Sequence, residues 1–186
     1  ELLLSGAFSP LAGFMNQADF DAVCAKMRLA NGLLWPIPIT LDVTEELSQR
    51  LSPGMQLALR EPEGEMLAVL HVEGRWTLDR DTKARAVYGT TDRTHPGVRH
   101  LFERVNNVAV GGRLEGLRLP AHYDFVDLRH TPAELRERFR RLGWRRIIAF
   151  QTRNPLHRAH VELTLRAVRQ LEANLLIHPV VGMTKP

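Results

Sequence analysis

Short apolar runs separated by turn-forming residues dominate the first two-thirds of the chain. Runs of this length predict β-strands at Pro36–Val43, Met55–Arg60 and Met66–Val72. The last two flank "EPEGE", where Gly64 can supply the unusual dihedral angle of a hairpin turn. Helical candidates in the same region are Asp19–Leu29, Thr82–Tyr88 and Val98–Val105. Strands so close together predict a β-rich domain over residues 1–125, folded as a small barrel.

The pattern changes at Thr131, which begins a helix signal. Thr131 is a suitable N-cap, Pro132 fits the first helical position and Glu134 completes a capping box. An apolar stripe at Leu135, Phe139 and Leu142 follows, and Gly143 is expected to end the helix.

A strand–loop–helix–strand order comes next. The predicted elements are a strand at Arg145–Phe150, a polar loop, a helix at about Arg158–Gln170 and a strand at Leu175–Val181. This order is the unit of a parallel, doubly wound sheet, in which ligands bind at the carboxyl ends of the strands. We therefore expect a mixed α/β protein whose second domain occupies residues 126–186 and is incomplete.

The amino-acid composition indicates a globular protein without a membrane span or an intrachain disulfide. Hydrophobic residues make up 44% and charged residues 25%, as in ordinary globular proteins. No apolar run approaches the ~18 residues that a membrane span needs. Cys24 is the single cysteine, so an intrachain disulfide is excluded and a cytoplasmic location is expected. The net charge of +4 suits anionic ligands without choosing among them.

The densest polar chemistry lies in "QTRNPLHRAH", directly after the apolar "RRIIAF". A helix that begins near His157 offers backbone N–H groups and a positive dipole end to an anion. His157 and His160, three residues apart, share one side of its first turn. Arg153 adds a planar fork for oxyanions, while Gln151, Thr152 and Asn154 add neutral donors. The loop is therefore suited to stabilising negative charge, as phosphoryl or nucleotidyl transfer requires.

The spacing of the two histidines by itself leaves three interpretations open. They could bind a metal, pack in a core or contact phosphates. Helical zinc pairs are usually four residues apart, and neither Arg158 nor Ala159 is an acid. Two core histidines beside Arg and Asn would be hard to satisfy, so we favour the phosphate contact and predict no dedicated metal site.

The motif "QTRNPLHRAH" closely resembles the signature of the ATP sulfurylase (sulfate adenylyltransferase) family. The stretches "GAFSPLAGFM", "PIPITLDV", "VYGTTDRTHPGV" and "LIHPVVGMTKP" are similar to that family too, so the resemblance covers nearly the whole chain. It implies a PUA-like β-barrel domain followed by a Rossmann-like nucleotidyltransferase domain. Some members also carry an adenylylsulfate kinase domain. A further Gly-Arg-Asp motif of the family lies outside residues 1–186.

The resemblance also implies a reaction and residue roles. ATP and sulfate would give adenosine 5′-phosphosulfate and pyrophosphate, with Mg²⁺ accompanying the nucleotide. Gln151 and Arg153 would bind sulfate, and residues 151–154 would contact ATP. Thr152, Arg153 and Asn154 would be catalytic, while His157 and His160 would hold the phosphates and stabilise the transition state. We expect a homo-oligomer and no membrane partner.

Two other functions stay open at this point. The chain could transfer a nucleotide to another acceptor, or its PUA-like half could bind RNA beside a vestigial catalytic half. Arginines cluster around the predicted helix at positions 136, 138, 140, 141, 145 and 146. No aromatic residues are interleaved with them as stacking platforms, so nucleic acid is not the expected partner. His178 lies in the last predicted strand, and sequence alone does not decide which way it points.

Overall fold

A computed structural model describes residues 1–180 of the chain. The chain divides into two compact units, Glu1–Val126 and Asp127–Pro186. None of the helices in the described part is long and apolar enough to cross a membrane.

The first unit is built on an antiparallel sheet. Its strands are β1 (Gly13–Phe14), β2 (Leu41–Val43), β3 (Gln56–Arg60), β4 (Met66–Thr77) and β5 (Val108–Gly116). The sheet order is β1-β5-β4-β3, and β2 pairs with β5 beside β1. Its helices are α1 (Gln17–Lys26), α2 (Glu45–Gln49), α3 (Arg80–Tyr88) and α4 (Pro96–Glu103).

The core of this unit lies against the two long central strands. Leu70 and Val72 of β4 pack with Val108 and Val110 of β5 in one buried cluster. Trp76 and Ala109 join Phe20 of α1 in a second cluster, against which Cys24 is partly buried. Burial is the main cause that raises the pKa of the Cys24 thiol.

The predicted hairpin is confirmed, whereas one predicted strand is shorter than expected and one observed strand was missed. Gly64 has a φ of +94° and its N–H donates to the carbonyl of Glu61 at 2.8 Å. The strand predicted at Pro36–Val43 is limited to β2, Leu41–Val43, because a proline lacks the N–H that a ladder needs. Strand β5, with Gly111 and Gly112 inside it, was not predicted at all.

The second unit contains a helix followed by a β–α–β unit. A 3₁₀ turn at Val126–Leu128 precedes α5 (Pro132–Arg141), β6 (Ile147–Thr152), α6 (Arg158–Leu171) and β7 (Asn174–Pro179). The predicted capping box is present, since the Thr131 N–H donates to Glu134 Oε2 at 2.8 Å and the Glu134 N–H donates to Thr131 Oγ1 at 3.3 Å. Gly143 has a φ of +70° directly after the helix.

Strands β6 and β7 pair in parallel, from Ile147 opposite Asn174 to Thr152 opposite Pro179. The predicted strand Arg145–Phe150 therefore starts two residues later and continues through Gln151 and Thr152. Strand β7 starts one residue before the predicted Leu175, and the last predicted strand residue, Val181, lies outside the described residues.

The mixed α/β class is confirmed by one antiparallel and one parallel sheet. Among the described residues β3 pairs only with β4, so the pairing that would close the first sheet into a barrel is not observed.

Candidate functional site

The polar motif lies at the carboxyl end of β6, where strand, loop and helix meet. Gln151 and Thr152 are the last two residues of the strand, and α6 begins at Arg158 with His157 as its N-cap. Only the residues from Arg153 to His157 form the connecting loop. The motif therefore lies at the edge where parallel α/β sheets bind their ligands.

Alternation along β6 divides the motif between two faces of the sheet. The Phe150 ring lies 5.5 Å from the His160 ring, so α6 packs on the face that carries Phe150 and Thr152. Gln151, one residue between them, points to the opposite face with Ile147 and Ala149. The sequence analysis did not predict this division between the two faces.

Thr152 fixes the shape of the loop. Its hydroxyl donates to the carbonyl of Asn154 at 2.9 Å, and the N–H of Asn154 donates to the same hydroxyl oxygen at 3.1 Å. The hydroxyl therefore serves the backbone of its own loop, a local arrangement that Thr favours.

The two histidines lie together at the start of α6. Their ring centroids are 5.3 Å apart, with His157 exposed and His160 half-buried. The N–H of His157 donates to Nδ1 of His160 at 3.3 Å. Because Nδ1 accepts this bond, the proton of the neutral His160 ring is on Nε2, which can donate to a ligand.

Several donors of the motif remain available for a ligand. Gln151, Arg153 and Asn154 are exposed, and the part of the chain that the structure describes offers their side chains no hydrogen bond or ion pair. The first helical bond of α6 runs from Val161 to His157 at 3.1 Å, so N–H groups of the first turn have no helical acceptor. No acidic residue occurs between Phe150 and Val161. The segment from Gln151 to His160 is therefore rich in donors and contributes no carboxylate.

His178 joins this edge through the strand register. It is directly opposite Gln151 in the parallel ladder and is exposed. Sequence reasoning left its direction open because the register of β6 against β7 could not be read from either strand alone.

Metal ligands are not gathered at this edge. Residues 1–180 contain no group of three or more His, Cys, Asp or Glu side chains that could hold a metal ion. The arrangement can bind an anion through neutral and cationic donors.

Comparisons with known proteins cover nearly every residue. The sequence profile of the PUA-like domain matches residues 1–119, and that of ATP-sulfurylase matches residues 126–186. The whole chain is 52% identical over 188 residues to a sulfate adenylyltransferase of Schizosaccharomyces pombe, covering 38% of that protein. It is 50% identical over 189 residues to one of Mycosarcoma maydis, covering 33%.

One solved structure is similar in sequence and in fold. A chain described as hexameric APS kinase from Thiobacillus denitrificans matches with a TM-score of 0.77 and 42% identity, covering 98% of this chain and 32% of that chain. The present chain thus spans about a third of the length of the relatives it matches.

Proposed function

The chain belongs to the ATP-sulfurylase family, and from this premise we propose that the protein is a sulfate adenylyltransferase. It transfers the adenylyl group of ATP to sulfate, giving adenosine 5′-phosphosulfate and pyrophosphate, and it catalyses the reverse reaction. The observation that supports this most directly is the set of available donors at the carboxyl end of β6. ATP and sulfate are both polyanions, and residues 151–160 offer them donors and no carboxylate.

In the proposed reaction an oxygen of sulfate attacks the α-phosphorus of ATP. The bond between that phosphorus and the bridging oxygen to the β-phosphate breaks, and pyrophosphate leaves with the electron pair. Sulfate is already a dianion, so no proton has to be removed from the nucleophile. Catalysis then consists of positioning and charge stabilisation, as in other phosphoryl-group transfers.

The residues take roles that follow from their places. Gln151 and Arg153 bind sulfate, and residues 151–154 contact ATP. Arg153 and Asn154 stabilise the charge at the reacting phosphorus, while Thr152 holds their loop through the Asn154 backbone. His157 and His160 donate to the phosphates and stabilise the transition state. Mg²⁺ arrives with the polyphosphate of ATP.

The proposal also covers the domains, the cellular location and the oligomeric state of the protein. Residues 1–125 form a PUA-like barrel domain, and residues 126–186 form the beginning of a Rossmann-like catalytic domain. We place the enzyme in the cytoplasm as a homo-oligomer. The similar structure, described as hexameric, supports an oligomer.

The test is sulfate-dependent release of pyrophosphate by the full-length protein. Replacing Arg153 or His157 with Ala removes a preorganised donor and should cost about 2.7–4 kcal/mol of transition-state stabilisation, or about 10²–10³ in kcat. Arg169→Ala, an exposed arginine at the far end of α6, is the matched control and should leave the rate unchanged. An unchanged rate for both Arg153→Ala and His157→Ala would contradict the proposed site.

The acceptor decides between this function and another nucleotidyl transfer. Pyrophosphate release that requires sulfate and is absent with other nucleophiles supports the proposal. Release that depends on a different acceptor instead assigns the protein to another nucleotidyltransferase reaction.

A further inference from the structure

The end of the parallel ladder places two exposed side chains next to each other. Gln151 of β6 and His178 of β7 are register partners. The pairing continues past them, because the N–H of Val180 donates to the carbonyl of Thr152 at 2.8 Å. Neighbouring strands lie ~4.8 Å apart, and register partners project from the same face. His178 and Gln151 can therefore reach the same small ligand.

The face they share is the one opposite α6. Phe150 and Thr152 occupy the α6 face, where the Phe150 ring contacts His160. Gln151 and His178 consequently approach the carboxyl edge from the other side. Gln151, which the proposed function assigns to sulfate binding, lies on this side, whereas His157 and His160 lie at the start of α6.

The imidazole of His178 is unengaged within residues 1–180. It makes no hydrogen bond, ion pair or ring contact there, and the Gln151 side chain makes none either. No acid is present from Ala173 to Val180, so no carboxylate in β7 competes for the imidazole N–H. An unpaired donor beside an unpaired amide suits a tetrahedral oxyanion, which has acceptors on every side.

We infer that His178 is a sulfate-binding residue, whose imidazole N–H donates to the oxyanion that Gln151 and Arg153 also hold. This inference rests on the proposed function and adds a contact from the second strand of the sheet. It assigns the sulfate subsite to both strands, so that binding depends on the register between them.

The test is a sulfate titration of the full-length protein at constant ionic strength, with chloride as the balancing anion. Binding is followed by ¹H–¹⁵N NMR of the imidazoles. The His178 signals should shift as sulfate saturates. His178→Ala should weaken sulfate binding about five- to tenfold, the effect of losing one hydrogen bond to an exposed charged group. His178→Gln, which keeps an N–H donor, should recover most of the affinity.

Asn174→Ala is the matched control. Asn174 lies on the same face of β7 at the other end of the strand, opposite Ile147, and its replacement should leave sulfate binding unchanged. Far-UV circular dichroism checks that each variant is folded. If His178→Ala does not fold, the imidazole signals of the unsubstituted chain decide, and an absent shift at saturating sulfate overturns the inference.

The two proposals fail in different ways. If Arg153→Ala loses sulfate while His178→Ala binds it like the unsubstituted chain, the inference is wrong and the proposed site stands. If the unsubstituted chain and Arg153→Ala behave alike, the oxyanion site itself is wrong and His178 has no role in it.

Discussion

Thr152 shows how one side chain can prepare its neighbours for a ligand. Its hydroxyl both donates to and accepts from the backbone of Asn154, at 2.9 and 3.1 Å. The loop is thereby held while Arg153 and Asn154 keep their side-chain donors available. The role given to Thr152 from family resemblance was catalytic, and the geometry favours a positioning role.

Replacing Thr152 with Val keeps the shape of the side chain and removes both hydrogen bonds. We expect kcat of pyrophosphate release to fall about tenfold, since two local bonds of modest net strength hold the loop. Thr152→Ser keeps the hydroxyl and should stay within about twofold of the unsubstituted enzyme. Equal rates for the Val and Ser variants would show that the loop does not need this hydroxyl.

At the scale of elements, local signals were predictable and long-range pairings were not. The cap at Thr131 and the turn at Gly64 depend on neighbours within four residues, and both are present. The sequence of β5 gives only a weak strand signal, because two glycines interrupt it. It exists because β4 pairs along one side and β1 and β2 along the other. For the same reason the strand–loop–helix order around residues 151–160 was predictable, whereas the pairing of His178 with Gln151 was not.

The register pair Gly74 and Gly111 offers a matched test of the first sheet. A Cβ at Gly111 would collide with the backbone of Met15 and come within 2.8 Å of Cα of Asn16, whereas one at Gly74 would meet open space. Gly111→Ala should therefore lower the free energy of unfolding by about 3 kcal/mol or more, because no rotamer change relieves a backbone clash. Gly74→Ala should change it by less than about 1 kcal/mol.

Urea denaturation of the two alanine variants measures this difference. The comparison is internal to one pair of strands, so a general cost of adding a methyl group to the sheet cancels. Similar losses in both variants would mean that the approach of Met15 to β5 does not restrict residue 111.

The stability of helix α5 should depend on pH through its capping box. The hydrogen bond from the Thr131 backbone, together with that from its hydroxyl, holds the pKa of Glu134 below its ordinary value. A lowered folded-state pKa stabilises the helix above the unfolded pKa, and this contribution is lost as the pH falls through about 4.3 and below. Glu134→Gln should remove that part of the acid dependence.

The helical signal in far-UV circular dichroism, recorded between pH 3 and 6, follows this effect. Thr131→Ala deletes the partner hydroxyl and should weaken the same dependence, while also costing about 1 kcal/mol as a lost N-cap. A Glu134→Gln protein that loses helix with falling pH as steeply as the unsubstituted protein would contradict the assignment.

At the scale of the whole molecule, the two units differ in how much they bury. All buried hydrophobic side chains of the described residues lie between Met15 and Val110. From Asp127 to Val180 the single buried side chain is that of Thr164, while Leu163 and Ile177 are 60% and 46% exposed. A two-stranded sheet with one helix has little hydrophobic area to stabilise it.

The rate of amide hydrogen exchange should therefore differ between the two units of this 186-residue chain. Amides in the centres of β4 and β5 should exchange at least about 100-fold more slowly than those in β6 and α6, because opening the second unit exposes little additional apolar surface. Mass spectrometry of peptides from each unit measures the ratio. Equal protection in both units would indicate that the second unit gains stability from interactions other than its own core.

The hydrogen bond from the His157 N–H to Nδ1 of His160 also restricts the proton transfers in which His160 can take part. Because Nδ1 accepts from the His157 amide, the neutral tautomer that fits this bond has its proton on Nε2. In this tautomer the ring can donate a hydrogen bond through Nε2 but offers a substrate no free lone pair with which to accept a proton. In the proposed reaction sulfate and ATP are both already ionised, so no base is needed at this position.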